Sequence, residues 1–564
     1  MSALAAQLSA APRLAARVEA IRPRYILAGL IVVEWLTTLG VALSVRHNGW
    51  LYYQGGDELW HYTTAWVMGQ GRLPHTSIGY AWSMVLLPFA LLGGPNLVSP
   101  LPFVVLLNVL VLMPVALLAI YGIGNRIGGR LFGYWTAVLW ILVPLIGIKY
   151  ADTGYHQAYT ELLLPQGLGL TAMSDFPSMV AGAAAAYFTL RALQDDDEWS
   201  GALAGLLAGV ALGIKASNAP LVVGMALALL WSRRWRPTAY VVAGLVPSLV
   251  ALAVWKGRGE GAIPLFRSSA AGTQHLVVAA AAPVLAFSLS LHKYIHPSWS
   301  FFAQQLDSIR EHFWSVRVLE WVAIGGTIGL LRRSRPVGLL FGGWLFATLF
   351  VKWASPGHGT VDDSDLLRQT ISTIPAWLIV ISGVLLLLPG LPQRLERPEP
   401  QQWGTHRMRV GLAGALVTFF AIVPACLALG LPTLKNSDTI SYYTQTGASL
   451  SAPFPVDSGW RPTVMRRGRT AILTWPRLSP LGGTVDYQVL GAPANQPIIC
   501  DETSGGAQCR LNAGVLTAIH GTRYVVSSGG ESTYRIAAVA SWINDPTAGN
   551  IFVVGPPVTI KLPG

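Results

Sequence analysis

Long apolar runs separated by short, mostly basic breaks fill the chain up to residue 431, and beyond it the pattern changes. The first run, Tyr25 to Val45, matches the roughly 20 residues that carry an α-helix across a bilayer. Further runs cover 99–123, 131–149, 176–193, 201–216, 218–231, 238–255, 317–331, 337–353, 371–389 and 410–431, which predicts about eleven transmembrane helices. Arg13, Arg17, Arg22 and Arg24 precede the first run and place the N-terminus in the cytoplasm. A cleaved signal peptide competes, but the run is too long for one and carries Glu34 inside it, so a retained helix with Glu34 turned to the bundle interior is expected. Arg126 and Arg130, then Arg233, Arg234 and Arg236, then Arg332, Arg333 and Arg335, then Arg394, Arg397, Arg407 and Arg409 fall in alternate loops, a self-consistent positive-inside pattern. Asp195, Asp196, Asp197 and Glu198 share one of those loops and read as a solvated turn. Two shorter stretches, Tyr80 to Leu92 and His275 to Leu291, read as interfacial or re-entrant helices; if both span, the count is thirteen.

From Pro432 onward Thr470–Trp475, Thr484–Leu490, Arg523–Ser527 and Tyr534–Ala540 alternate with turn-rich stretches, as β-strands do. The division is therefore 1–431, a transmembrane domain, and 432–564, an extracytoplasmic all-β sandwich-like domain. Trp475 on an early strand, Tyr487 on the next and the His520–Tyr524 segment resemble fibronectin type III modules, with a jelly roll left open.

Composition agrees with a polytopic α-helical membrane protein: of 564 residues 52% are hydrophobic and only 12% charged, about half the share of a soluble domain. Mean hydropathy is +0.48, and the 21 Trp suit interfacial belts. The net charge of +12 lies in short Arg clusters without a basic arm, which reports membrane orientation and excludes a nucleic-acid partner. The three Cys form no CxxC motif; Cys500 and Cys509 flank a short Gly-rich stretch and suit a small disulfide loop in an oxidising compartment, with free thiols as the alternative. His292 and His296 lie four apart, but Pro297 and the lack of a third ligand argue against a metal site.

The chemistry-bearing residues sit at predicted outer loops. Asp57 and Glu58 follow the first helix and precede an apolar-periodic stretch ending Gly69-Gln70-Gly71-Arg72-Leu73-Pro74. Asp175, with Pro177, opens another helix, and Lys215 joins two short apolar halves, the first rich in Gly. Each has a plain structural explanation: a carboxylate at a helix N-terminus caps it, and a boundary Lys snorkels.

Taken together these motifs, with Arg191 in the second Ala-rich helix, resemble the GT-C membrane glycosyltransferases, in particular protein O-mannosyltransferases and aminoarabinose transferases, over residues 25 to 235. Arg368 before Pro375 is a further echo, although Gln369 stands where family members commonly have Tyr. The resemblance implies transfer of a sugar, with inversion, from a polyprenyl-phosphate donor to an acceptor hydroxyl on a glycan, lipid or protein at the outer face of a bacterial cytoplasmic membrane. It implies no nucleotide-sugar site and no organic cofactor, and leaves a divalent cation open. On this reading Asp57 is the general base, Asp175 orients the acceptor or shares the proton, and Glu58 supports the loop or the sugar. Lys215 and Arg368 neutralise the departing phosphate, and His61, Tyr155 and His156 are further substrate-binding candidates. The surplus of Arg over Lys hints at a GC-rich genome and so at mannosyl or arabinofuranosyl transfer in a cell envelope. A transporter or flippase is the rival, but the acidic residues lie in outer loops and no inverted halves are visible.

Overall fold

The structure is a computed structural model, and the residues it describes are 18, 20–44, 57–74, 78–94, 97, 100–150, 164–260, 266–267, 288–289, 298–312, 315–354, 370–391, 395, 404–433, 461–476, 483–493, 499–503, 506–510, 515–519, 521–527, 530–542 and 545–563. The helices are α1 (Pro23–Ser44), α2 (Asp57–Gly69), α3 (Tyr80–Gly93), α4 (Leu101–Leu107), α5 (Met113–Tyr150), the single turn α6 (Pro165–Leu168), α7 (Asp175–Asp195) and α8 (Glu198–Ile214). They continue with α9 (Ala219–Ser232), α10 (Trp235–Glu260), α11 (Trp299–His312), α12 (Ser315–Arg333), α13 (Arg335–Trp353), α14 (Ile374–Gly383), α15 (His406–Val417) and α16 (Val423–Gly430).

Over the described residues each of the apolar runs read from the sequence is helical apart from its ends. Among the described residues four stretches are long and apolar enough to cross a membrane, Pro23–Leu43, Leu101–Pro144, Trp235–Gly259 and His406–Gly430, so the chain is a multi-pass membrane protein. The second is two legs, because Gly128 and Gly129 leave helical geometry; Gly129 has φ +79°, which only glycine adopts without strain. Shorter apolar helices, α8, α9, α13 and the α14 region, fill the bundle between them. Leu36, Leu43, Val242, Val250 and Trp321 stand exposed on helix faces, as lipid-facing residues must. The ends follow from local chemistry: Pro220, Pro336 and Pro375 open α9, α13 and α14, and Thr405 caps α15 by accepting the Met408 N–H at 3.3 Å.

The described chain forms two compact units. One comprises Met1–Arg46, Ile78–Met84 and Val105–Leu429; the other comprises His47–Ser77, Val85–Val104 and Gly430–Gly564. In the first, α7 runs through the centre. Its Ala-rich sequence follows from that position, since nearly all of its residues are buried against Leu221, Met225, Phe341, Trp344 and Ile379 on other helices. Glycines at every fourth position of α8 do the same for its contact with α10. A Cβ on Gly205 would lie 1.9 Å from the Val241 carbonyl, and one on Gly244 2.1 Å from the Ala202 carbonyl. The two backbones therefore meet face to face, the small-residue packing that membranes favour.

Glu34 is fully buried, and its Oε1 accepts the Trp140 indole N–H at 2.5 Å, in keeping with an inward-facing carboxyl. The acidic loop departs from the solvated turn expected of it. Asp195 Oδ1 takes Arg126 at 2.5 Å and its Oδ2 takes Arg191 at 3.2 Å, while Asp197 pairs Arg409 at 3.4 Å and Asp196 pairs Arg234 at 3.1 Å. The run neutralises basic residues from four parts of the chain. Of His275–Leu291 only Ser288–Leu289 (β2) is described, and it pairs with Phe266–Arg267 (β1) as a ladder, where a helix was expected. Tyr80–Leu92 does form a short helix, α3.

The second unit holds α2 and the C-terminal strands. Leu73 N–H donates to the Pro432 carbonyl at 2.8 Å, tying the end of the α2 segment to the start of the β-region. The strands are β3 (Thr463–Arg467), β4 (Thr470–Thr474), β5 (Gly483–Pro493), β6 (Ile499–Thr503), β7 (Gly506–Arg510), β8 (Val515–Ile519), β9 (Arg523–Val526), β10 (Gly530–Trp542), β11 (Asp545–Val554) and β12 (Val558–Leu562). They form a three-stranded sheet, β3-β4-β9, and a seven-stranded sheet in which β10 pairs β5, β11 and β12 while β8 pairs β5. Ala471, Leu473 and Val526 from the first sheet and Tyr487, Val489, Tyr534, Ile536 and Ile560 from the second share one core, which defines a sandwich. The order β12-β10-β5 with β3-β4-β9 is the G-F-C and A-B-E arrangement of immunoglobulin-type sandwiches, with β8 in the C′ place and β6, β7 and β11 added.

Candidate functional site

Asp175 is the first residue of α7, and the segment before it is fixed from three sides. Asn108, in the π-helical turn Asn108–Leu112, donates its amide to the Thr171 carbonyl at 2.9 Å. Trp82 donates its indole N–H to the Ala172 carbonyl at 2.7 Å, and Thr171 Oγ1 accepts the Met173 N–H at 3.0 Å. All of 164–183 is buried, so the carboxylate is delivered by a rigid turn. Ser174 occupies the cap position in helical geometry and makes no side-chain cap, so the capping explanation of this motif does not describe Ser174.

Lys215 sits where α8 stops. Its backbone is extended, φ −148° and ψ 119°, before the turn Ala216–Asn218 starts the next helix. Asn218 closes the break by donating its side-chain amide to the Ala211 and Lys215 carbonyls, both at 3.0 Å. Gly79 lets the backbone approach from another side, since a Cβ there would stand 2.2 Å from the Gly213 carbonyl. Next to it Tyr80 lies against Gly213 and donates its hydroxyl at 2.6 Å to the carbonyl of Phe420, in the π-helical turn Thr418–Ile422. A π-turn interrupts the regular ladder and so leaves a carbonyl for such a bond.

These supports bring together two residues 40 apart in sequence: Lys215 Nζ donates to Asp175 Oδ1 at 2.5 Å. The carboxylate side chain is 3% exposed and the lysine 25%. An ammonium has three N–H donors, so Asp175 takes one on the buried side while the exposed side of Lys215 faces outward with donors to offer.

Asp57, Glu58 and His61 belong to the other compact unit, on the first two turns of α2. Acidic residues in a first turn suit the helix dipole, which explains why this sequence starts a helix here. Glu58 and His61 are buried and Asp57 is half-buried. One turn on, burial pushes the Tyr62 phenol pKa up, and its hydroxyl donates to the Gly94 carbonyl at 2.7 Å, bracing α2 against the end of α3. Tyr155, His156, Arg368, His292 and His296 lie outside the described residues. In the β-sandwich Cys500 stands directly opposite Cys509 in the β6–β7 register.

Sequence reasoning missed the residues that position these groups: Asn108, Trp82, Tyr80 and Asn218. The available signal was a polar or hydrogen-bonding residue inside or beside an apolar run. It missed equally the chain in which Trp140 bridges Glu34 and Gln166, the latter donating its amide to the Trp140 carbonyl at 3.1 Å.

No family model matches the sequence, and no curated protein matches it. Solved structures of similar chain path include the apo crystal structure of the oligosaccharyltransferase of Archaeoglobus fulgidus, at a TM-score of 0.42 and 13% identity, covering 75% of this chain and 58% of that one. The crystal structure of ArnT from Cupriavidus metallidurans bound to undecaprenyl phosphate gives a TM-score of 0.39 and 13% identity, over 75% of this chain and 68% of that one. The archaeal oligosaccharyltransferase AglB from Archaeoglobus fulgidus, in complex with an inhibitory peptide and a dolichol-phosphate, gives 0.35 and 12%, over 75% and 58%. This chain thus spans less than two thirds of the length of the first of these.

Proposed function

We propose that the chain is a GT-C-type membrane glycosyltransferase that moves a sugar from a polyprenyl-phosphate donor to an acceptor hydroxyl, with inversion at the anomeric carbon. The observation that carries this reading is the half-open ion pair: a lysine at a helix break, anchored on its inner side by Asp175 and open on its outer side. That is a built receptor for one anionic group, and a lipid phosphate is the anion a membrane-boundary lysine meets. The motif resemblance over residues 25 to 235 supplies the remaining roles. Asp57 takes the proton from the acceptor hydroxyl as that oxygen bonds to the anomeric carbon. The bond to the lipid phosphate breaks on the opposite face, its electron pair goes to the phosphate oxygen, and Lys215 stabilises the charge that develops there. Asp175 acts as a positioning residue for Lys215, a narrower role than orienting the acceptor. The β-sandwich handles the acceptor, a glycan, lipid or protein.

The experiment is transfer from a labelled polyprenyl-phosphate sugar by the purified protein in lipid. Asp57→Asn should abolish transfer while leaving the protein folded and the donor bound; retained transfer removes Asp57 as the base. Asp175→Asn should raise the donor KM as Lys215→Ala does, and an effect confined to the acceptor KM would return Asp175 to the acceptor side.

A further inference from the structure

At the end of the bundle where the Arg-rich turns gather, two adjoining concavities have opposite character. One, of about 690 Å³, lies between the ends of α7 and α9 and the start of α13, and is lined by Arg234, Ser334 and Arg335 among others. The other, of about 500 Å³, is lined by Ile328, Leu331 and Leu339 on α12 and α13, with Arg332 at its edge. They share Trp231 and Arg335, whose guanidinium lies 5.4 Å over the indole.

The polar half carries uncompensated positive charge. Its one lining carboxylate, Asp195, is held by Arg126 and Arg191. Among the described residues Arg332 and Arg335 have no carboxylate partner, and Arg234 pairs only with Asp196 through a well-exposed contact. Ser334 precedes α13 in extended geometry without capping it by its side chain, so the first-turn N–H groups of that 19-residue helix add to the field. The apolar half opens sideways: Trp231 is 53% exposed and Ile328 42%, on helices whose apolar faces meet lipid.

We propose that this amphipathic groove binds an anionic phospholipid, its phosphate against Arg234, Arg332 and Arg335 and an acyl chain along Ile328, Leu331 and Leu339. Charge selects the headgroup, and the continuous apolar flank selects a lipid over a free phosphate. The inference is independent of the transferase reading, since it uses none of the residues assigned to transfer.

The test uses the full-length protein delipidated in detergent, with bound lipid counted by native mass spectrometry and thermal unfolding followed in parallel. Phosphatidylglycerol should bind saturably and raise the unfolding temperature, while phosphatidylcholine and inorganic phosphate should do neither. Each guanidinium lost should weaken phosphatidylglycerol binding about fivefold, so the Arg332→Gln/Arg335→Gln double variant should lose about 25-fold. The single Arg332→Gln variant, at an exposed position, gives the fivefold readout should the double fail to fold. Arg236→Gln, outside the groove lining, should change nothing. Equal binding of phosphatidylcholine, or unchanged affinity in the Arg variants, overturns the proposal. Competition by inorganic phosphate alone overturns the lipid assignment in favour of a free-anion site.

Discussion

Replacing Lys215 with Met removes the ammonium that pairs with Asp175 while keeping most of the side-chain volume. Asp175, 3% exposed, then loses its ammonium partner in a turn that cannot relax, because Asn108 and Trp82 hold the backbone before it. Removing one partner of a buried pair costs about 3–5 kcal/mol. Lys215 was itself a quarter exposed, so part of the pair was already screened, and the low end, about 3 kcal/mol, is expected. That is on the order of a 150-fold shift in the unfolding equilibrium. Asp175→Asn is milder, about 1–2 kcal/mol, because the lysine left behind can turn its ammonium to water and the amide oxygen still accepts a hydrogen bond. The double variant should cost less than the sum of the two, with a coupling of about 1–2 kcal/mol. The assay is unfolding in mixed micelles by SDS titration, followed by tryptophan fluorescence. Equal losses in the two single variants that simply add in the double would refute the ion pair as the element joining α7 to the α8 break.

Gly205→Ala should cost about 1–3 kcal/mol in the same assay by forcing α8 off α10, whereas Gly411→Ala, whose Cβ meets nothing within 4 Å, should be neutral. Asp195→Asn removes the carboxylate charge beside Arg126 and should lose about 2–4 kcal/mol, with Arg126→Gln/Asp195→Asn partly restoring stability; no restoration would argue that the pair is incidental. Directly opposed residues of an antiparallel pair have Cα atoms about 4.5–5.5 Å apart, within disulfide range, so alkylation of the protein unfolded in SDS should find Cys500 and Cys509 blocked until reductant is added and Cys426 alkylated with or without it.

The helices and the central strands were legible because each is written locally. A run such as 176–193 is apolar apart from Ser178, Thr189 and Arg191, and the stretch at Tyr534–Ala540 carries a strand's composition. Pairing was not legible. Asp195 finds Arg126 from 69 positions away and Asp197 finds Arg409 from 212 away, so a run of four acids looks like a solvated turn until the loops that surround it are folded in place. The same holds for Lys215. Its chain neighbours are apolar and say only that a charge lies at a boundary; that its partner is Asp175 depends on two helix ends meeting. The glycine spacing of α8 was visible as composition, but that it serves contact with α10 follows only from the backbone distances.

The ion pairs separate scaffold from candidate chemistry. At the acidic loop both members are buried: the side chains of Arg126 and Asp195 are 6% and 7% exposed, and the second aspartate oxygen lies 3.2 Å from the Arg191 guanidinium without a hydrogen bond. A pair sealed on both sides locks helices together and has no room for a third charge, since a further anion would have to displace a partner and enter a dry site. The Asp175 and Lys215 pair is sealed on one side only. Its buried carboxylate fixes the ammonium, and the open side lets an anion approach a charge whose position is already set, which lowers the ordering cost of binding. In a chain with so few ionisable groups, this asymmetry makes Lys215 the first residue to probe for the donor.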